Sequence, residues 1–308
     1  MTPRLTVGIT TRDRPASLDT CLRSLDAIRS LCPEILVFDD GSHPPAIGGI
    51  SQGIVAPRLL RDHRSPGYIV GRNRLVREAA APAVLLLDDD TRIVSRESIE
   101  QALAVLNGDG RVAAVAFSQA EADGRPWPVR MQPSPVTRPS IVASFIGFAH
   151  LLRRDVFLAL GGYREDFVYF GEEKDFCVRL LDAGYVTVYL PDAAVAHVPD
   201  AASRNRTRYL RFTARNDCLN ALYNDPFPRV MWTVPARYAL YFRMRRAWAI
   251  GDPWGWVWIG RELLRSSKAI ASRRRPVSRA TLETWRKLRA SPIPYPLPLI
   301  STVGDDAA

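Results

Sequence analysis

The chain has 308 residues, 47% hydrophobic and 24% charged, enough for a sizeable core and too evenly mixed for a disordered, collagen-like or low-complexity protein. Four scattered cysteines (Cys21, Cys32, Cys177, Cys218) without a C-x-x-C pair argue against a zinc site or disulfide framework, and no signal-type leader or charge-free run of 18 apolar residues suggests export or a membrane span. Lys and Arg number 42 against 32 Asp and Glu, a formal net charge of +10, which points to an anionic partner.

In chain order, Leu5–Thr10 reads as a strand, Ala16–Leu31 as a helix with Leu18, Leu22, Leu25 and Ile28 on one face, and Ile35–Phe38 as a second strand ending in Asp39-Asp40-Gly41-Ser42. A short strand near Arg58–Arg61 precedes a helix from about Gly71 to Ala80. Ala83–Leu87, a continuous apolar run suited to burial on both faces, ends in Asp88-Asp89-Asp90. A helix over Ile99–Leu106 and a strand over Val112–Phe117 continue the alternation, giving an α/β chain with a mostly parallel sheet. Gly124–Pro139 reads as a loop over the site, Ser144–Phe148 as either a channel lining or a core strand, and Gly171-Glu172-Glu173-Lys174-Asp175 as a helix start. A strand at Val186–Leu190 leads to His197 and to Arg204, Arg206, Arg208, Arg211 and Arg215.

Ligands of such sheets bind beyond the carboxyl ends of the strands. Three strand ends here carry Thr11-Arg12-Asp13, Asp39-Asp40 and Asp88–Asp90, with no G-x-G-x-x-G after the first strand and no P-loop. Three adjacent carboxylates repel unless a cation or donors compensate, which suits Mg2+ or Mn2+ shared with substrate phosphates; the plain alternative is a solvated loop. Asp39–Ser42 reads either as a simple turn or as acceptors for a base or ribose. The acids after Gly171 either favour a helix N-terminus or form a base with its orienter. His197 is either a packed side chain or a ligand, and the arginines either bind phosphate or face water.

Taken in order, these residues resemble an inverting glycosyltransferase of family 2 with the GT-A fold, over roughly residues 4–220. Val7-Gly8-Ile9-Thr10-Thr11-Arg12-Asp13-Arg14-Pro15, the Asp39–Ser42 turn, Gly71-Arg72-Asn73-Arg74, Leu87-Asp88-Asp89-Asp90 in place of the D-x-D motif, Gly161-Gly162-Tyr163, Gly171–Phe176 and His197 carry the resemblance. It looks like the bacterial subgroup that builds polysaccharides, glycolipids or decorated natural products, rhamnosyl- and galactosyltransferase-like members included. The resemblance implies that Thr11, Arg12, Asp13, Asp39, Asp40, Arg72, Asn73, Asp88 and Asp89 hold a nucleotide-diphosphate sugar, UDP- or dTDP-linked. Asp90 and His197 would hold a divalent metal, Mn2+ or Mg2+, that bridges the two phosphates. The family's base motif is commonly Glu-Asp; here Glu173 stands at the Asp position, one methylene longer, with Glu172 and Asp175 orienting the acceptor or the helix. A one-residue shift of the alignment makes Glu172 the base. The acceptor would be a hydroxyl on a glycan, a lipid-linked molecule or a natural product.

Splitting the chain at Leu222 separates two compositions. Residues 1–222 hold 27 Lys and Arg against 26 Asp and Glu, whereas residues 223–308 hold 15 against 6 and six of the seven tryptophans. The expected organisation is a GT-A catalytic domain, residues 1–222, and a basic helical appendage, residues 223–308. In the appendage Pro235 suits a first helical turn, with the helix stopped at Gly251, and Asp252-Pro253 would cap a second helix running to about Ala271. Its tryptophans and arginines suit either packing on the domain, a dimer contact or an interfacial membrane segment, so a cytoplasmic protein, peripheral on the inner face of the plasma membrane, is expected. A specific nucleic-acid site is not expected, since no binding motif accompanies the charge. A nucleotidyltransferase on a related fold is the competing enzyme class, and a basic binding protein acting through its tail the competing non-enzyme.

Overall fold

The computed structural model describes residues 4–32, 34–50, 56–199 and 205–296; Arg204 lies outside them. The first half alternates β1 (Leu5–Thr11), α1 (Pro15–Ser24), β2 (Glu34–Asp39), β3 (Arg58–Arg61), α2 (Tyr68–Glu78), β4 (Ala83–Asp88), β5 (Thr91–Ile93), α3 (Arg96–Gly108) and β6 (Val112–Ala120). There follow β7 (Ser140–Val142), β8 (Ala149–Arg153), α4 (Arg154–Ala159), α5 (Glu172–Asp182), β9 (Val186–His197) and α6 (Arg206–Asn224). The chain continues through α7 (Val230–Ala247), α8 (Gly255–Arg265), α9 (Ser267–Arg273), α10 (Arg279–Ala290) and β10 (Ile293–Pro294).

One twisted sheet, in the order β10-β7-β9-β6-β8-β4-β1-β2-β3, forms the middle layer, with β5 paired to β9. The ladders β2–β3, β1–β2, β1–β4 and β6–β9 are parallel, and β8 inserts antiparallel between β4 and β6. Side chains alternate across the pleat. In β4, Ala83, Leu85 and Leu87 join the core under α1 and α3, while Val84 and Leu86 join the core under α2, α4 and α5. Burial on both faces explains why this strand carries no polar residue before Asp88. Register sets Thr11 opposite Asp39 and Thr10 opposite Asp88, so the carboxyl ends of β1, β2 and β4 meet at one edge.

Several expected boundaries move, each for a local reason. α1 ends at Ser24 and passes into a 3-10 turn over Leu25–Ile28. α2 begins three residues before Gly71, because Gly67 at φ 98° makes the turn into it. β9 does not stop at Pro191: it runs on to His197, its register with β6 jumping from Phe117–Leu190 to Ser118–Ala194. Ser144–Phe148 is an irregular connection between β7 and β8, so the core-strand reading fails there.

The last third departs most from expectation. Pro235 lies inside α7, which starts at Val230. Asp252 does not cap a helix; its carboxylate receives Arg211, at 2.9 Å from Nε, and the Tyr241 hydroxyl at 3.0 Å. The single expected helix is divided into α8 and α9 near Ser266. Position 222 falls in the last turn of α6, and the segment beyond it returns to the sheet: β10 pairs antiparallel with β7, and Trp285 of α10 donates from Nε1 to the Ala143 carbonyl at 3.0 Å. Among the described residues no helix is long and apolar enough to cross a membrane.

Candidate active site

The turn after β2 is built by Asp39, which is fully buried. Its carboxylate accepts from the Ser42 amide at 2.7 Å and the Ala46 amide at 3.1 Å, with the Arg61 guanidinium 3.6 Å away. Burial alone would raise this carboxyl, but the Ser42 hydroxyl and the two amides outweigh it and hold it below the ordinary value of 3.8. Ser42 in turn accepts from the Asp13 amide at 2.9 Å, while the Asp13 carboxylate accepts from the His43 amide at 2.9 Å. Asp40 accepts from the Gly67 amide at 2.9 Å, and burial pushes its carboxyl up. These bonds join the β1 and β2 ends and the start of α2 into one rim, with Arg12 and Asp13 on its exposed side.

At the end of β4 the three carboxylates face three ways. Asp89 is buried and accepts from the Thr11 hydroxyl at 2.7 Å; burial first, then Asp90 and Asp88, push it up to about 6 against Thr11 and Arg14. Arg14, which the sequence reading passed over, spans Asp89 at 3.2 Å and Asp90 at 3.4 Å. Asp88 is half-buried and takes the Arg72 guanidinium at 2.7 Å. Asp90 Oδ1 is buried with no hydrogen-bond donor among the described residues, and His197 Nε2 stands 3.5 Å from it. The other ring nitrogen, Nδ1, is 2.7 Å from Gln119 Oε1, and the ring is stacked between Phe148 and Trp127 at centroid distances of 4.9 and 5.5 Å. With Nδ1–H donated to Gln119, the Nε2 lone pair faces Asp90.

An orphaned carboxylate oxygen beside an oriented imidazole fits a divalent cation that completes its shell with substrate phosphate and water. Among the described residues no three His, Cys, Asp or Glu side chains gather into a cage of their own. The loop carrying Trp127 is bolted down beside this pair, since Gln132 accepts from the Gln119 amide at 2.7 Å and donates to the Trp127 carbonyl at 3.0 Å.

The motif Glu172–Asp175 splits by direction. Successive helical residues turn by about 100°, so its three acids point to three environments. Glu172 is fully buried: Arg72 donates to it at 2.9 Å and Tyr68 at 3.3 Å. Burial first, then Glu173, push its carboxyl well up. Asp175 is also fully buried but on the far side, held by Arg164, by Arg179 Nε at 3.0 Å and by Asn224 at 2.8 Å; it braces the helix and does not reach the cleft. Glu173 is the partly exposed one, and no side chain among the described residues donates to its carboxylate. Burial raises this carboxyl and the Arg72 charge opposes the rise. It lies directly over Gly147, where a Cβ would stand 2.3 Å from Glu173 Oε1 and 2.8 Å from Arg72 Nη1.

Arg72 links both clusters. It is buried, stacks over the Tyr68 ring at 4.6 Å, and donates to Asp88, Glu172 and the Gly147 carbonyl. Its neighbour Asn73 points the other way, exchanging hydrogen bonds with the Tyr163 backbone at 2.8 and 2.9 Å. Asn73 therefore anchors the Gly161–Tyr163 loop and is not brought to the donor rim. Lys174 pairs with Asp217 at 3.2 Å, away from Glu173. The arginines after His197 are internal ties: Arg206 donates to the Trp248 carbonyl, Arg208 covers the Tyr169 ring at 4.5 Å, and Arg215 donates to the Asp166 carbonyl. Of the residues given no role, Arg14 stood inside the Val7–Pro15 motif and Gly147 inside Ser144–Phe148, read as a channel lining or core strand, while Tyr68 and Gln119 carried no motif.

Comparison with known proteins agrees with this fold. The O-antigen biosynthesis protein RfbC of Myxococcus xanthus is 25% identical over 235 residues, 66% of this chain, which spans only 18% of that much longer protein. The mannosyltransferase PcManGT from Pyrobaculum calidifontis, solved with GDP-Man and Mn2+, superposes at a TM-score of 0.55 with 18% identity, covering 94% of this chain and 85% of that one. S. aureus TarS 1-349 with UDP-GlcNAc gives 0.60 with 14% identity, covering 94% and 91%. At these identities the two structures establish a shared GT-A fold. The profile described as Glycosyl transferase family 2 matches residues 6–161, about half of the chain, and the protein belongs to that family.

Proposed function

We propose that the protein transfers a sugar from a nucleotide-diphosphate donor to an acceptor hydroxyl with inversion at the anomeric carbon, in the building of a bacterial polysaccharide. Residues 1–222 are the catalytic unit in this reading and 223–308 a helical appendage. The Asp13–Ser42 and Asp40–Gly67 bonds form the rim that receives the nucleoside, and Thr11 and Arg14 fix Asp89 beneath it. Asp90 and His197 would hold a divalent cation, which would supply neutralisation of the charge on the leaving diphosphate. Similar structures solved in complex with GDP-Man and Mn2+ or with UDP-GlcNAc support a nucleotide sugar as donor; a UDP- or dTDP-sugar is the reading carried from sequence. The likeness to an O-antigen biosynthesis protein supports a glycan as acceptor.

The observation that carries the mechanism is the division between Glu172 and Glu173. Glu172 is locked to Arg72 and Tyr68 and has no path to an acceptor. Glu173 faces the open side over Gly147, so it takes the acceptor proton as the hydroxyl attacks the carbon opposite the departing diphosphate. Its raised carboxyl is a stronger base than an exposed glutamate, and Arg72 holds Asp88 and Glu172 at fixed distances behind it.

A panel of UDP-, dTDP- and GDP-sugars with Mn2+ or Mg2+, scored by nucleoside diphosphate release, tests the reading. Glu173→Gln lowers turnover roughly 10²–10⁴-fold while leaving donor binding by calorimetry intact, and Asp90→Ala weakens donor binding only when metal is present. Turnover near wild type in Glu173→Gln would remove the base assignment.

A further inference from the structure

The basic appendage presents two helical faces that nothing in the described chain covers. On α7, Trp232, Pro235, Ala239 and Phe242 recur at intervals of three and four and are exposed, Trp232 at 75% and Phe242 at 47%. The same face continues into Arg243 and Arg246. Along α8, Trp254 at its N-cap, Val257 and Leu264 form a second exposed stripe, at 69, 41 and 75%, with Arg261 and, at the start of α9, Lys268 beside it. Apolar side chains at this exposure are costly in water, and their grouping on two neighbouring helices marks an interaction surface.

The charges say which surface. Arg243, Arg246, Arg261 and Lys268 form no ion pair among the described residues, whereas Arg211, Arg229 and Arg265 are paired with Asp252, Asp225 and Glu262. Cations left unneutralised beside an exposed tryptophan stripe match an anionic headgroup layer over hydrocarbon, in which indoles sit at the boundary and arginines reach back to phosphate. No described helix is suited to spanning, so insertion would be shallow.

We propose that the exposed faces of α7 and α8 dock the protein on an anionic lipid bilayer. The docked helices are fixed to the catalytic edge. Trp258 of α8 meets Phe212 at 5.2 Å, Phe212 meets Tyr169 at 5.7 Å, and Tyr169 meets Tyr68, the partner of Glu172, at 6.5 Å. Docking therefore holds the cleft at one fixed orientation relative to the bilayer. The proposal goes beyond the transferase reading and does not depend on it, because its test needs neither donor nor acceptor.

The full chain is sedimented with vesicles of phosphatidylcholine alone and of phosphatidylcholine mixed with phosphatidylglycerol. Binding to the mixed vesicles, a blue shift of tryptophan emission on their addition, and release by high salt are the expected results. The variant Trp232→Ser/Trp254→Ser/Leu264→Ser, all at exposed positions, loses about tenfold or more in partitioning with an unchanged melting temperature. Arg243→Ser/Arg246→Ser abolishes the preference for phosphatidylglycerol. Absence of sedimentation, or binding that is equal on both vesicles and unchanged in both variants, overturns the proposal. So does a concentration-dependent dimer in light scattering that the tryptophan variant dissolves, or binding to DNA in place of vesicles.

Discussion

Asp39 shapes the rim at the ends of β1 and β2 from a fully buried position. It ties Ser42, Ala46 and Arg61 around itself, and its folded value is lower than its unfolded one. The stability it contributes is therefore complete above the ordinary value of 3.8 and is lost as pH falls through the depressed folded value. Asp39→Asn should cost about 1–3 kcal/mol at pH 7, and urea melts repeated down the pH scale should show the gap closing only in acid. Gly147 makes a different point. An added Cβ would meet the ends of two flexible side chains, Glu173 and Arg72, so the fold can absorb it but the carboxylate cannot stay in place. Gly147→Ala should lower kcat about 10²-fold with little change in melting temperature, and the two measured together separate displacement of the base from unfolding. That these strand ends meet at one edge was legible from residue types, since buried parallel strands leave their carboxyl ends as the edge where polar residues gather. Which way each side chain faces was not announced, and Asn73 and Asp175, quoted from the same motifs as Arg72 and Glu173, serve the scaffold instead.

At the scale of elements, α5 carries the acids of the base motif on different sides and relies on the buried one for its seat. Asp175 is held by Arg164, Arg179 and Asn224, and Arg179 also donates to the Leu160 and Gly162 carbonyls. Removing the charge leaves two guanidiniums facing a neutral amide in a buried place. Asp175→Asn should destabilise by roughly 3–5 kcal/mol, while the variant, assayed well below its lowered melting temperature, should keep its KM for donor. A parallel fall in kcat at full folding would instead assign Asp175 to the chemistry. The helices and strands of the first half were legible because apolar period and turn residues agree there. The helical character of the last third was legible as well, but its boundaries and its return to the sheet were not, because tertiary contacts set them. Packing on α6 lets α7 tolerate Pro235 in its second turn, and β10, only two residues long, exists because the edge of β7 is there to receive it.

For the whole molecule, the charge excess noticed first belongs to a segment that is clasped at both ends. α6 leads into it, and α10 and β10 bring it back against α5 and β7, with Val277 and Leu282 packed on Val178. A chain cut after residue 222 would bare that apolar patch and the edge of β7, an open strand ready to pair with another copy. Such a fragment should appear in the insoluble fraction, while the full chain stays dispersed; comparable solubility of the two would show that the clasp contributes nothing. The same return path has a mechanical meaning. A tail joined at one point could swing like a tether and let the catalytic cleft face any direction; a segment fastened at two behaves as a bracket. The exposed tryptophans of the appendage therefore keep a fixed angle to the cleft that carries Glu173.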